Sequence, residues 1–154
     1  MNVGRFTVEQ LSEGFFELFE DGSFSKMDPS RLKNPVDDPS LGTYSSALGV
    51  DPLLITDGET NILVDTGLGW GLDHNSRYQN TSNVVTNLDI FGLRPEDIHY
   101  VILTHLHFDH AAGATYVSGN LKTTPTFPQA KYLVHQSEWD FALSESQSKH
   151  VTAG

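Results

Sequence analysis

Hydrophobic positions first become regular at residue 53. Two short apolar runs, residues 53–56 and 62–64, flank Asp57 and Gly58, a dipeptide typical of tight hairpin turns. The second run ends in a glycine-rich bend, residues 65–69, which we call the glycine-rich loop. The pattern therefore predicts a β-hairpin whose second strand leads directly into this loop.

Helix-like and strand-like patterns alternate after the hairpin. Apolar residues recur at helical spacing between Ser82, a suitable N-cap, and Gly92, a suitable helix end. Residues 100–104 form an apolar, β-branched run that predicts a strand buried on both faces. The other predicted elements are a helical turn at 94–98, a helix over 111–116, a loop over 119–129, a strand at 132–134 and a helix capped by Ser137. This alternation predicts a layered α/β (α+β) fold.

The first 50 residues carry a weaker pattern. Residues 6–19 predict one or two strands, and residues 26–42 contain three prolines among polar residues, which predicts a loop. That loop is either a plain surface excursion or a lid. A length of 154 residues is typical of one domain, so residues 1–154 are treated as one unit.

Charge and composition exclude several classes of site. Nine Lys and Arg face 20 Asp and Glu, giving a net charge of −11, so a nucleic-acid partner is not expected. The absence of cysteine excludes disulfides, thiolate zinc sites and a cysteine nucleophile. No apolar stretch approaches the ~20 residues of a membrane span, and the first residues lack the pattern of a secretory signal. We therefore expect a cytoplasmic protein without a membrane partner.

Candidate chemistry is concentrated directly after the predicted strand 100–104. The segment His105-Leu106-His107-Phe108-Asp109-His110, here called the histidine motif, places three of the seven histidines within six positions. In an extended segment residues two apart face the same way, so His105 and His107 can bind one metal ion. Asp109 and His110, where the chain turns into a helix, can reach a second ion. Imidazole with carboxylate suits Zn²⁺ best, and Fe or Mn would also fit.

The histidine motif resembles HxHxDH, the hallmark of the metallo-β-lactamase-fold hydrolases. Residues 63–67 look like the family's strand-end segment with Asp-Thr-Gly, and residues 95–105 and 132–138 are similar to the segments around the motif. Residues of about 53–140 match in order, whereas residues 1–50 match loosely. The resemblance implies an αβ/βα sandwich of which this chain is the N-terminal half.

The resemblance also implies roles for individual residues. His105 and His107 would bind the first zinc ion and Asp109 and His110 the second, and Asp109 could also relay a proton to the leaving group. Asp65 would lie beneath the histidine motif and hold a histidine or a backbone group by hydrogen bonds. An aspartate that merely caps a turn is the alternative for Asp65. His74, His135 and His150 are weaker candidates for contacts near the site.

The implied function is a dinuclear-zinc hydrolase that acts on a small lactone, ester or thioester through a metal-bound hydroxide, and the motif looks most like that of the lactonases. Three alternatives stay open: a phosphodiesterase, which the charge disfavours, an iron-dependent redox member, and a catalytically incomplete metal-binding fragment. In the family the remaining ligands come from the second half of the domain. We therefore expect the domain to be cut short on its C-terminal side, and a homo-oligomer is a further way to complete the site.

Overall fold

The computed structural model describes residues 1–18, 24–26, 46–69, 84–117 and 121–151. The strands are β1 (Asn2–Val3), β2 (Phe6–Gln10), β3 (Gly14–Leu18), β4 (Phe24–Lys26), β5 (Ser46–Val50), β6 (Leu53–Thr56), β7 (Asn61–Val64), β8 (Tyr100–Leu103), β9 (Thr115–Val117), β10 (Thr123–Pro125) and β11 (Lys131–Val134). The helices are α1 (Val84–Ile90), α2 (Phe108–Ala111) and α3 (Gln136–Val151), with 3₁₀ turns at Pro95–Asp97 and Ala112–Ala114. This mixture of strands and helices confirms the predicted α/β class.

A six-stranded sheet in the order β1-β2-β6-β7-β8-β11 positions the histidine motif. The first four strands pair antiparallel, and β6 and β7 form the predicted hairpin, with Ile55 opposite Ile62. Strands β7, β8 and β11 are parallel, so their carboxyl ends meet at one edge of the sheet. The glycine-rich loop and the histidine motif leave β7 and β8 at that edge.

One face of this sheet packs against helix α1. Leu63 of β7 and Val101 of β8 are fully buried together with Leu88 of α1. Burial along β8 alternates: Val101 and Leu103 are buried, whereas Tyr100 and Ile102 are half-buried. The prediction of a strand buried on both faces is therefore wrong in the part of the chain that the structure describes, because the pleat directs alternate side chains to a face that is less fully covered.

Several predicted boundaries need correction. Residues 111–116 do not form one helix, because α2 ends at Ala111 and residues 115–117 are strand β9, which pairs antiparallel with β10 inside the predicted loop 119–129. Helix α3 begins at Gln136, before the predicted cap Ser137. Ser82 and residues 27–42 of the predicted loop lie outside the described residues, and Lys26 belongs to β4.

In the segment 6–19, the described residues 6–18 form two strands that belong to different sheets. Strand β2 lies in the six-stranded sheet, whereas β3 pairs with β4 and β5 in a second sheet. None of the described helices is long and apolar enough to cross a membrane.

Candidate metal centre

Asp65 is the first residue after β7 and adopts a left-handed backbone conformation. Its φ is +59°, a region that aspartate tolerates better than most non-glycine residues. Its N–H still donates to the carbonyl of Ile102 (2.8 Å), so the chain turns while attached to β8. The carboxylate reaches across the end of β8, where Oδ1 accepts from the Thr104 N–H (2.8 Å) and Oδ2 lies 2.7 Å from His110 Nδ1. With 13% of its side chain exposed, Asp65 joins the two segments from a largely buried position.

Thr104 links the same carboxylate to a second histidine. Its Oγ1 lies 2.8 Å from Oδ2 of Asp65 and 3.0 Å from Nδ1 of His105. The Nδ1 atoms of His105 and His110 are therefore both engaged by one small hydrogen-bond network centred on Asp65. Sequence reasoning missed Thr104, because a threonine at the end of a strand is common and nothing local marks its partner 39 residues away.

Three imidazole rings of the histidine motif lie together. The ring centroids of His105 and His110 are 3.9 Å apart, and those of His105 and His107 are 4.8 Å apart in an edge-to-face arrangement. Oδ2 of Asp109 lies 3.5 Å from Nε2 of His110. The chain turn that brings them together occurs at His107, where an extended residue precedes the first turn of α2. The structure thus collects the four predicted metal-site residues in one region.

Backbone hydrogen bonds hold the histidine motif against its neighbours. The carbonyl of His110 accepts from the N–H of Thr66 (2.7 Å), and Gly113 donates to the carbonyl of Gly67 (3.0 Å). On the other side, Oε1 of Glu138 in the first turn of α3 accepts from the Leu106 N–H (3.0 Å). The segment that carries the histidines is therefore fixed both to the glycine-rich loop and to helix α3.

Glu13 holds the glycine-rich loop by hydrogen bonds to its carboxylate, and sequence reasoning missed it. It is 2% exposed, and its two carboxylate oxygens accept from the N–H groups of Leu68 (3.0 Å) and Val84 (2.7 Å). A Cβ at Gly67 would lie 2.5 Å from this carboxyl group, so the close approach requires glycine there. A lone glutamate beside a weak strand gives no sequence signal, because its partners are 55 and 71 residues away.

Two other histidines, His99 and His135, have hydrogen-bond partners outside the histidine motif. Nδ1 of His99 accepts from the Asn61 N–H (3.1 Å), and Nδ1 of His135 lies 2.7 Å from Oγ of Ser137. His74 and the side chain of His150 lie outside the described residues. His99 and His135 therefore make hydrogen bonds near the ends of strands and helices.

The donor set fits a divalent metal ion in kind. Imidazole nitrogens and carboxylate oxygens are the ligands that zinc accepts where thiolates are absent. With Nδ1 engaged, Nε2 is the ring nitrogen of His105 and of His110 that a metal could use. Among the described residues, however, no three His, Asp or Glu side chains are already arranged to hold an ion. The residues fit a zinc site by the chemistry of their ligand atoms, but the described side chains are not yet in the positions that zinc coordination requires.

The profile of the metallo-beta-lactamase superfamily matches residues 46–146, well over half of the chain. The chain belongs to this superfamily. The family predicted from the histidine motif is thereby confirmed. The match includes the hairpin, the glycine-rich loop, α1, the motif and the start of α3, which are the elements that build the site.

Individual relatives of this metallo-beta-lactamase superfamily chain include lactonases. An N-acyl homoserine lactonase of Bacillus cereus is 36% identical over 90 residues, which are 49% of this chain and 34% of that protein. A crystal structure described as a probable metal-dependent hydrolase from Staphylococcus aureus superposes with a TM-score of 0.68 at 27% identity, covering 94% of this chain and 52% of that one. The dizinc quorum-quenching lactonase AidC, solved with its product N-hexanoyl-L-homoserine, superposes with a TM-score of 0.63 at 26% identity, covering 92% and 45%. The chain spans about a third of the length of the curated lactonase it matches.

Proposed function

We propose that this chain carries the first metal ligands of a metal-dependent hydrolase that opens a small lactone. The observation that carries the proposal is the cluster of His105, His107 and His110 at the edge of the sheet. Two of these rings are linked to Asp65, His110 directly and His105 through a hydroxyl group. The fold and the similarity to lactonases support a lactone over a thioester or another ester. The net charge of −11 disfavours a phosphodiester polyanion.

In this proposal His105 and His107 hold one zinc ion, and Asp109 and His110 hold a second. When bound, zinc supplies a Lewis acid and lowers the pKa of its bound water to about 7. The Asp109 side chain is 22% exposed, so solvent and substrate can reach it, and its carboxylate would take up the proton that the attacking water loses and deliver it to the departing alkoxide. Two ions need about six protein ligands, a bridging carboxylate counting for both, so the four of the motif require partners from elsewhere.

Metal analysis of two histidine variants tests the ligand assignment. His107→Ala removes a proposed ligand, whereas His99→Ala removes an imidazole whose contact is with Asn61. We expect a clear loss of bound zinc in the first variant only, measured by equilibrium dialysis at one fixed concentration of free zinc followed by elemental analysis. Equal losses in both variants would refute the assignment. Iron or manganese in place of zinc, retained at the same residues, would change the metal and keep the ligands.

Hydrolysis assays test the chemistry. In a form extended to the length of its relatives, a panel of one N-acyl lactone, one thioester and one phosphodiester separates the substrate classes, and we expect turnover of the lactone. Asp109→Asn keeps the shape of the side chain and removes the proton carrier, so it should slow hydrolysis about 100-fold or more. Near-normal turnover by this variant would contradict the role of Asp109.

The ligand count gives a further expectation for the chain by itself. We expect weak zinc binding and negligible turnover from residues 1–154 alone, and turnover from a form extended to the length of its relatives. Robust turnover by the 154-residue chain would contradict this expectation. Concentration-dependent turnover would then show that a second copy completes the site.

A further inference from the structure

Thr104 occupies the junction between Asp65 and His105. Its hydroxyl oxygen lies 2.8 Å from Oδ2 and 3.0 Å from Oδ1 of Asp65, and 3.0 Å from Nδ1 of His105. A threonine hydroxyl has one proton and two acceptor lone pairs, whereas an ionised carboxylate only accepts. The hydroxyl proton therefore goes to Asp65. What remains on Oγ1 toward His105 is an acceptor lone pair.

This direction of donation determines which nitrogen of His105 carries the proton. An acceptor facing Nδ1 requires an Nδ1–H, and a neutral imidazole protonated at Nδ1 has its free lone pair on Nε2. His110 reaches the same state more directly, because its Nδ1 lies 2.7 Å from Oδ2 of Asp65. We propose that Thr104 is a positioning residue: its hydroxyl donates to Asp65 and accepts from Nδ1–H of His105, a pair of hydrogen bonds that we call the relay. As a result, the rings of His105 and His110 both present Nε2 for metal binding.

The backbone of Thr104 does not depend on its hydroxyl. Its N–H donates to Oδ1 of Asp65 (2.8 Å), a bond that any residue except proline could make. Thr104→Val keeps this bond and the β-branched shape, and it removes only the relay between Asp65 and His105. Thr104→Ser keeps the hydroxyl and loses a methyl group. The two variants thus separate the relay from packing.

Two-bond ¹H–¹⁵N correlation spectra of the imidazole rings report the tautomer directly. They are recorded on the metal-free protein at an alkaline pH, where neutral imidazole dominates. We expect His105 to be protonated at Nδ1 in the wild type and in Thr104→Ser, and to shift toward Nε2–H in Thr104→Val. His110 should keep its Nδ1–H in all three proteins, because its contact with Asp65 does not involve Thr104. It serves as the internal control for folding.

Two results would overturn the inference. One is an Nε2–H tautomer at His105 in the wild type, which is decisive even if Thr104→Val does not fold. The other is an unchanged Nδ1–H tautomer at His105 in a folded Thr104→Val protein.

That the relay serves metal binding rests on the proposed function, and a zinc titration distinguishes failure of the relay from failure of the proposed function. Loss of a hydrogen-bond partner behind a metal ligand typically costs 10- to 100-fold in affinity, so Thr104→Val should weaken zinc binding by about that factor, with Thr104→Ser close to wild type. If the tautomers behave as expected and even a form extended to the length of its relatives binds no zinc, the proposed function fails and the relay stands. If zinc binds and the tautomer of His105 ignores Thr104, the relay fails and the proposed function stands.

Discussion

Replacing Glu13 by glutamine measures how strongly a buried carboxylate supports the glycine-rich loop. In the wild type the two oxygens accept from different backbone N–H groups, at 3.0 Å for Leu68 and 2.7 Å for Val84. A glutamine amide has one acceptor oxygen, so one N–H loses its partner and faces an NH₂ donor instead. A buried donor left without a partner costs about 1–3 kcal/mol, so we expect the free energy of unfolding to fall by about 2 kcal/mol. Glu13→Ala removes both acceptors and leaves a cavity, and it should cost about 4 kcal/mol.

Urea denaturation followed by far-UV circular dichroism gives these differences from the transition midpoint and slope. Glu59→Gln, at an exposed turn position, makes the same chemical change outside the core and should alter stability by less than about 0.5 kcal/mol. Amide hydrogen exchange should become faster at Leu68 and Val84 in the Glu13 variants. If Glu13→Gln were as stable as Glu59→Gln, the loss of one buried acceptor would cost no net stability and the reasoning would be refuted.

Three further predictions concern residues around the same loop and hairpin. Gly113→Ala would place a Cβ against the backbone carbonyl oxygen of Thr66 in the glycine-rich loop and should cost about 3 kcal/mol. Gly58→Ala should cost about 1–2 kcal/mol, because its positive φ is the only penalty there, and thermal unfolding compares the two variants. Tyr132→Phe leaves the backbone N–H of Phe127 without its acceptor and should lower the free energy of unfolding, measured in urea, by about 1–2 kcal/mol. Burial raises the pKa of the Tyr132 phenol, so an absorbance titration should show it ionising above pH 10. The backbone hydrogen bond from Thr60 lowers the pKa of Asp57, so the stabilising contribution of the Asp57 carboxylate is present above its ordinary pKa of 3.8 and is lost as the pH falls through the lowered pKa. Asp57→Asn should therefore make the free energy of unfolding less dependent on pH in that acid range, and the same pH dependence in the wild type and the variant would contradict this.

Local sequence signals predicted the elements whose partners are close along the chain. The hairpin of β6 and β7 was predictable because Asp57 and Gly58 specify the turn and the flanking runs pair with each other. Segments with distant partners were not. Residues 6–19 were ambiguous because β2 pairs with β6 while β3 pairs with β5, and no local feature assigns the two strands to different sheets. Residues 111–116 favour a helix by composition, and pairing of β9 with β10 overrides that preference.

The candidate site shows the same division. The histidine motif was predictable because its four donors lie within six consecutive positions, and Asp65 was suggested by the resemblance around residues 63–67. The groups that position these donors, Glu13 and Thr104, depend on contacts that form only in the folded chain. Sequence periodicity cannot reveal them, since each is a single polar residue with a partner far along the chain.

The long sequence separations within the site have a consequence for how it forms. The bonds from Thr104 and His110 to Asp65 bridge 39 and 45 residues, and those to Glu13 bridge 55 and 71. Contacts of this kind form late, because the chain loses loop entropy before it gains their stabilisation. In the unfolded chain the histidine motif is a flexible peptide without oriented rings. Zinc uptake during refolding should therefore proceed at the rate at which β7 and β8 pair, independent of how much zinc is supplied above saturation.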